Sequence, residues 1–77
     1  MTTRRLTGIS ARNQLRGIVE SVESEGLLAQ VRLRIGDQVI TALITRDAAL
    51  DLGLERGEVA LAVIKATEVM VAKEEGR

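Results

Sequence analysis

The sequence predicts an all-β fold, a small five-stranded barrel with one short helix. Three observations carry this. Apolar and polar residues alternate with a period of two through most of the chain. Turn-forming residues, glycine above all, separate the alternating runs. Only one segment breaks the alternation, and it is short. The 77 residues suffice for a single small domain.

The strands follow in order. Asn13 to Val22 is the first, and Glu23-Ser24-Glu25-Gly26 is its turn, with Gly26 suited to positive φ. From Ala29 to Ile35, Ala29, Val31, Leu33 and Ile35 alternate with Gln30, Arg32 and Arg34, the pattern of a strand with one buried and one wet face. Gly36-Asp37-Gln38 turns the chain, and Val39 to Thr45 completes a hairpin. Val39–Thr45 carries β-branched residues on both faces, which predicts burial on both sides. Asp47 to Gly53 holds helix formers, an early acid at the positive end of the dipole and a glycine at the C-cap, so it is one or two helical turns. Glu58 to Ile64 and Glu68 to Lys73 are the fourth and fifth strands. Five strands with a helix between the third and fourth fit a closed or nearly closed OB-like barrel. Residues 1–8 are read as an N-terminal extension, 9–73 as the domain and 74–77 as a frayed tail.

Composition narrows the function. There is no Phe, Tyr or Trp, so the core is built from small and aliphatic side chains. A chain of this length buries only about 60% of its unfolded surface, which predicts extra burial by self-association. No Cys or His is present, which excludes a disulfide framework and the usual zinc ligands. It also removes the common nucleophile–base pairs, and no Ser or Thr has an evident base beside it, so an enzyme is not expected. Eleven Lys and Arg balance eleven Asp and Glu. Zero net charge and no aromatic stacking platform argue against nucleic acid. No apolar run approaches the ~20 residues of a membrane span, and no apolar segment of a secretory signal follows the first arginines. A cytoplasmic location, with no membrane partner, is the resulting expectation.

The positive charge is uneven. Arg4, Arg5, Arg12 and Arg16 precede the first acid, Glu20. Arg4 and Arg5 are read as solvated. Ser10-Ala11-Arg12-Asn13 sets a hydroxyl and a guanidinium two residues apart, on one face if extended. Lys65-Ala66-Thr67 adds a second cation and hydroxyl in the loop between the last two strands. Such donors suit a tetrahedral dianion, which offers four acceptor oxygens and needs about two positive charges, because charge-assisted hydrogen bonds are the strong ones. On residue types alone the more economical reading is that Arg12 and Lys65 are solvated and that Ser10 and Thr67 hold turns, since short motifs match by accident.

The stretch from Ile9 to Gly17, Ile-Ser-Ala-Arg-Asn-Gln-Leu-Arg-Gly, resembles the opening signature of the molbindin family, the Mop- or TOBE-like domains that bind molybdate or tungstate. Lys65-Ala66-Thr67-Glu68-Val69-Met70 resembles the family's closing stretch. Between them, Ala42-Leu43-Ile44-Thr45, the short helix and Leu52-Gly53-Leu54 stand at family spacing. The resemblance covers residues 9 to 73. It implies an OB-like barrel that assembles as a homo-oligomer, a hexamer built as a trimer of dimers, with oxyanion sites between subunits. It further implies that Ser10, Ala11, Arg12, Lys65, Ala66 and Thr67 contact the oxyanion, Ala66 through its backbone, and that Thr45 does so as well. Family members often carry Ser where this chain has Ala48, which puts a secondary anion contact in doubt. The implied ligand is molybdate or tungstate, discriminated from sulfate by size, with no other cofactor. The implied role is intracellular molybdenum storage or homeostasis; the alternative is a regulatory or accessory ligand-sensing module of a molybdate transport or transcription system. The chain has no room for an attached ATPase or helix-turn-helix, which favours the stand-alone role.

Overall fold

In a computed structural model, residues 8–74 are described. They form β1 (Asn13–Glu25), β2 (Leu28–Ile35), β3 (Gln38–Thr45), the helix α1 (Arg46–Leu52), β4 (Val59–Ile64) and a single 3-10 turn at Ala66–Glu68. The strands make one antiparallel sheet in the order β3-β2-β1-β4. The N-terminal extension, apart from Gly8, and the last three residues of the expected tail lie outside the described residues.

Both hairpins close through two-residue loops, Gly26-Leu27 and Gly36-Asp37. In each, glycine takes the first position with φ 63° and 64°, where a II′ turn needs positive φ and where a Cβ would be strained. β1 therefore runs to Glu25 rather than stopping at Val22: the tight turn needs only Gly26 and the residue after it, so the acidic residues before it stay in the ladder.

β1 is long because it serves two partners. Ile18–Glu25 pairs with β2 and Asn13–Ile18 with β4. The change of partner is marked by a register shift between Val19 and Ser21, where Val19 N–H donates to Glu58 O and Val19 O accepts from Gly57 N–H, both at 2.8 Å. An irregularity of this kind bends a strand and raises its twist. Gly17 lies beside the bend. A Cβ there would come within 2.8 Å of Arg34 O and of Ile35 Cγ1, so the absence of a side chain is what lets the strands close up.

The curled sheet is an open half-barrel. Its concave face holds the core of Val19, Val31, Leu33 and Ala62, flanked by half-buried residues including Ile35, Ile40, Ile44 and Leu54. Val19 is the largest fully buried side chain, so the core is as thin as the missing aromatics imply. The hollow between β3 and β4 remains a groove of about 1030 Å³, lined by aliphatic side chains from both ends of the sheet, with Arg16 among them.

α1 crosses between β3 and β4 and places Ala49 against the sheet. Thr45 is its N-cap, with Oγ1 accepting from Ala48 N–H at 3.0 Å, so the helix begins at Arg46, one residue before the expected Asp47. Gly53 closes it in the left-handed region, φ 63° and ψ 37°.

Two expectations are corrected. Glu68–Lys73 is not a strand: Ala66–Glu68 is a 3-10 turn, and the chain beyond it pairs with nothing among the described residues. The segment has strand-like composition, but a strand needs a partner edge, and among the described residues none reaches it. Val69, Met70 and Val71 stay 47%, 93% and 92% exposed. Among the described residues the sheet accordingly has four strands and does not close. β3 is also not buried on both faces. It is an edge strand whose exposure alternates, leaving Val39 and Leu43 open, because its β-branched outer face meets no second layer.

Candidate functional site

The antiparallel pairing of β1 with β4 brings the two motifs together. Asn13 pairs with Ile64 at the end of the ladder. The Ser10-Ala11-Arg12 segment enters β1 there, and Lys65-Ala66-Thr67 leaves β4 there. More than fifty residues apart in sequence, Arg12 and Lys65 thus stand at the same corner of the sheet. Among the described residues neither has an acidic partner, the one ion pair being Arg34–Glu20 at 3.4 Å. Two cations at one corner, neither held in an ion pair among the described residues, favour a nearby anion by simple Coulombic attraction.

The corner is fastened by backbone and amide contacts. Asn13 Nδ2 donates to Ile64 O at 3.2 Å, bridging the two strands. Gln14 Nε2 donates to Ala11 O at 3.5 Å, drawing the first motif back onto β1. Glu68 N–H donates to Lys65 O at 2.9 Å and Val69 N–H to Ala66 O at 3.3 Å, which winds the second motif into its 3-10 turn. The N–H groups of Ala66 and Thr67 head that turn, where no acceptor within the turn exists for them. Ser10, Arg12, Lys65, Ala66 and Thr67 are all exposed, whereas Ala11 is 5% exposed and faces inward. Ala11 thus packs inward, with its carbonyl held by Gln14, and leaves only its backbone to this corner.

Thr45 stands elsewhere. It pairs with Leu28, and Leu28 pairs with Glu25 at the far end of β1. All 13 residues of β1 separate it along the sheet from Arg12 and Lys65. Its hydroxyl oxygen is engaged by Ala48 N–H, which leaves the proton free to donate. Arg46 follows it, and its N–H donates to Leu27 O at 2.8 Å. One chain therefore assembles Ser10, Arg12, Lys65, Ala66 and Thr67, and does not add Thr45.

Two residues at these places escape a reading of the sequence. Arg46 looks like a helix flank until the fold sets it beside Thr45. Asn13 looks like the first residue of a strand, and only the long-range pairing shows what its amide holds. The Thr-x-x-Ala spacing before a run of helix formers was the available signal that Thr45 is a cap.

The TOBE domain family matches residues 9–71. A probable molybdenum-pterin-binding protein of Haemophilus influenzae is 46% identical over 67 residues, covering 86% of this chain and 97% of its relative. Solved structures resemble the fold throughout. MopII from Clostridium pasteurianum matches with a TM-score of 0.79 at 40% identity over 86% of this chain and 100% of its own. A molybdate-binding protein from Sporomusa ovata matches with a TM-score of 0.83 at 33% identity over 87% and 100%. From the matched span, the shared identity and the common half-barrel, the chain belongs to the TOBE domain family.

Proposed function

We propose that this protein binds molybdate or tungstate as the intact oxyanion, and that it acts in intracellular molybdenum storage or homeostasis rather than in catalysis. The observation that carries the reading is the placement of Arg12 and Lys65 at one corner, from two motifs distant in sequence and with no ion pair to either among the described residues. The similar molybdate-binding protein from Sporomusa ovata suggests the anion.

In this reading Arg12 and Lys65 provide charge, Ser10 and Thr67 provide hydroxyl donors and Ala66 provides its N–H. Ala11 acts through its backbone N–H, its carbonyl being taken by Gln14 Nε2. Every group offered to the anion is then a donor, which suits a fully deprotonated dianion. The exposure of all these side chains implies that a second subunit completes the site and excludes water from it. Thr45 and Arg46 are suited to enter from that neighbour, since their own chain leaves them at the opposite end of the sheet. The apolar groove and Val69–Val71, which join no strand among the described residues, would supply surface for such assembly, and a hexamer is the proposed state. Both the role and the expected cytoplasmic location belong to this reading.

Calorimetric titration with molybdate, tungstate and sulfate tests it. Molybdate and tungstate should bind alike, as anions of almost equal size, and sulfate much more weakly. No heat with either metal oxyanion, or equal binding of sulfate, overturns the assignment.

A further inference from the structure

Asn13 crosses the candidate site without belonging to its donors. It is half-buried at the first rung of β1, and its side-chain Nδ2 donates to the carbonyl of Ile64, 51 residues away, at 3.2 Å. Ile64 is the last residue of β4, and Lys65 follows it directly. Arg12 precedes Asn13 in the chain. One amide therefore ties the residue after Arg12 to the residue before Lys65. The backbone ladder alone is weakest here, because strand ends fray and the sheet stops at this pair. Gln14 adds a second tie, to Ala11 O on the other side of Arg12, and successive side chains of a strand point to opposite faces. The amides of Asn13 and Gln14 thus brace the corner from both faces of β1.

We propose that Asn13 is a positioning residue for the oxyanion site: it makes no contact with the anion but fixes the separation of Arg12 and Lys65 before the anion arrives. This rests on the proposed molybdate or tungstate function. Holding two like charges together is unfavourable until an anion enters, and an unbraced corner would let the two backbones drift apart. A preorganised pair avoids that ordering cost on binding. Asn suits the task because a neutral donor reaches a carbonyl without adding a charge. Asp at this position would be the same size, would meet the Ile64 carbonyl with another acceptor, and would set a negative charge beside the incoming anion.

The test uses the anion-free protein first. Backbone 15N relaxation at Lys65–Glu68 is compared in the parent, Asn13→Ala and Asn13→Asp, with Gln38→Ala as a remote control. Order parameters near the rigid value of about 0.85 in the parent should fall toward about 0.6 in both Asn13 variants, while β2 and β3 stay unchanged. Molybdate affinity by calorimetry should then fall about tenfold in Asn13→Ala and further in Asn13→Asp, with Arg12 and Lys65 intact. Unchanged order at Lys65–Glu68 overturns the proposal. So does loosening of the whole sheet, which would make Asn13 a general stabiliser, and so does loosened backbone with unchanged affinity. If Asn13→Ala does not fold, Asn13→Asp and the exchange rate of the parent's own Asn13 side-chain amide protons decide: rapid exchange, as for a solvated amide, overturns it. If the parent binds no oxyanion at all, the functional reading fails while the relaxation data still report whether the brace exists.

Discussion

Arg12 and Lys65 carry the sharpest expectation at the scale of single residues. Replacing either by Ala removes one charge-assisted donor, which costs about 1.5–3 kcal/mol, or roughly ten- to a hundredfold in affinity. Arg32→Ala is the control: Arg32 is exposed on β2 opposite Thr41 and outside both motifs. Molybdate titration of the three variants should show at least about tenfold weaker binding for Arg12→Ala and Lys65→Ala and parent-like binding for Arg32→Ala. Equal affinities would return both cations to the solvated reading that their residue types allow. That reading had to stay open in the sequence, because nothing local says that position 12 meets position 65; the meeting is made by the β1–β4 register. Thr45 shows the reverse. Its motif context suggested an anion contact, and the fold reveals a helix cap as well. Thr45→Ala should destabilise by about 1 kcal/mol through loss of the cap. Thr45→Asp should retain the cap and the melting temperature yet weaken anion binding if Thr45 reaches a neighbour's site; unchanged affinity in Thr45→Asp would leave it a cap only.

At the scale of elements, the period-two pattern and the turn glycines were sufficient for β2, β3, β4 and the helix, whose limits differ from expectation by a residue. These features are local: side-chain alternation, positive φ and capping act within a few residues. The long β1 and the missing fifth strand were not legible because pairing is not local. Gly17 is an example. In sequence it is a glycine inside a strand, and only the approach of Arg34 O and Ile35 explains it. Gly17→Ala forces a methyl group into that contact and should cost about 1–3 kcal/mol. Gly8→Ala, where a Cβ would meet nothing within 4 Å, should shift stability by less than about 0.5 kcal/mol. Urea denaturation of both variants measures the difference. A neutral Gly17→Ala would mean that the strands separate at the bend without penalty.

The whole molecule leaves much apolar surface uncovered for so small a chain. Leu43, Leu50, Leu52, Met70 and Val71 are each at least 65% exposed, the half-barrel has an aliphatic groove, and among the described residues the core holds nothing larger than a leucine. A four-stranded sheet of this kind has little to offset chain entropy by itself. Association with further copies would cover the groove and give Val69–Val71 a partner edge, and an anion held between copies would strengthen the assembly by mass action. Light scattering should therefore give several times the mass of a 77-residue monomer. Molybdate at a hundredfold its dissociation constant should add about 2.7 kcal/mol per site to stability, seen as a higher melting temperature. The double variant Met70→Asp, Val71→Asp separates the causes. On a segment that stays in solvent, two acids should change stability by less than about 0.5 kcal/mol each and leave the mass as it was. On a segment that packs against a neighbour, burying two unpaired carboxylates is prohibitive, so the mass should fall toward that of the monomer. Molybdate should then no longer raise the melting temperature, even though Arg12 and Lys65 are untouched. A variant that stays assembled would place the interface elsewhere, and a parent that is a stable monomer would remove the assembly from the account altogether.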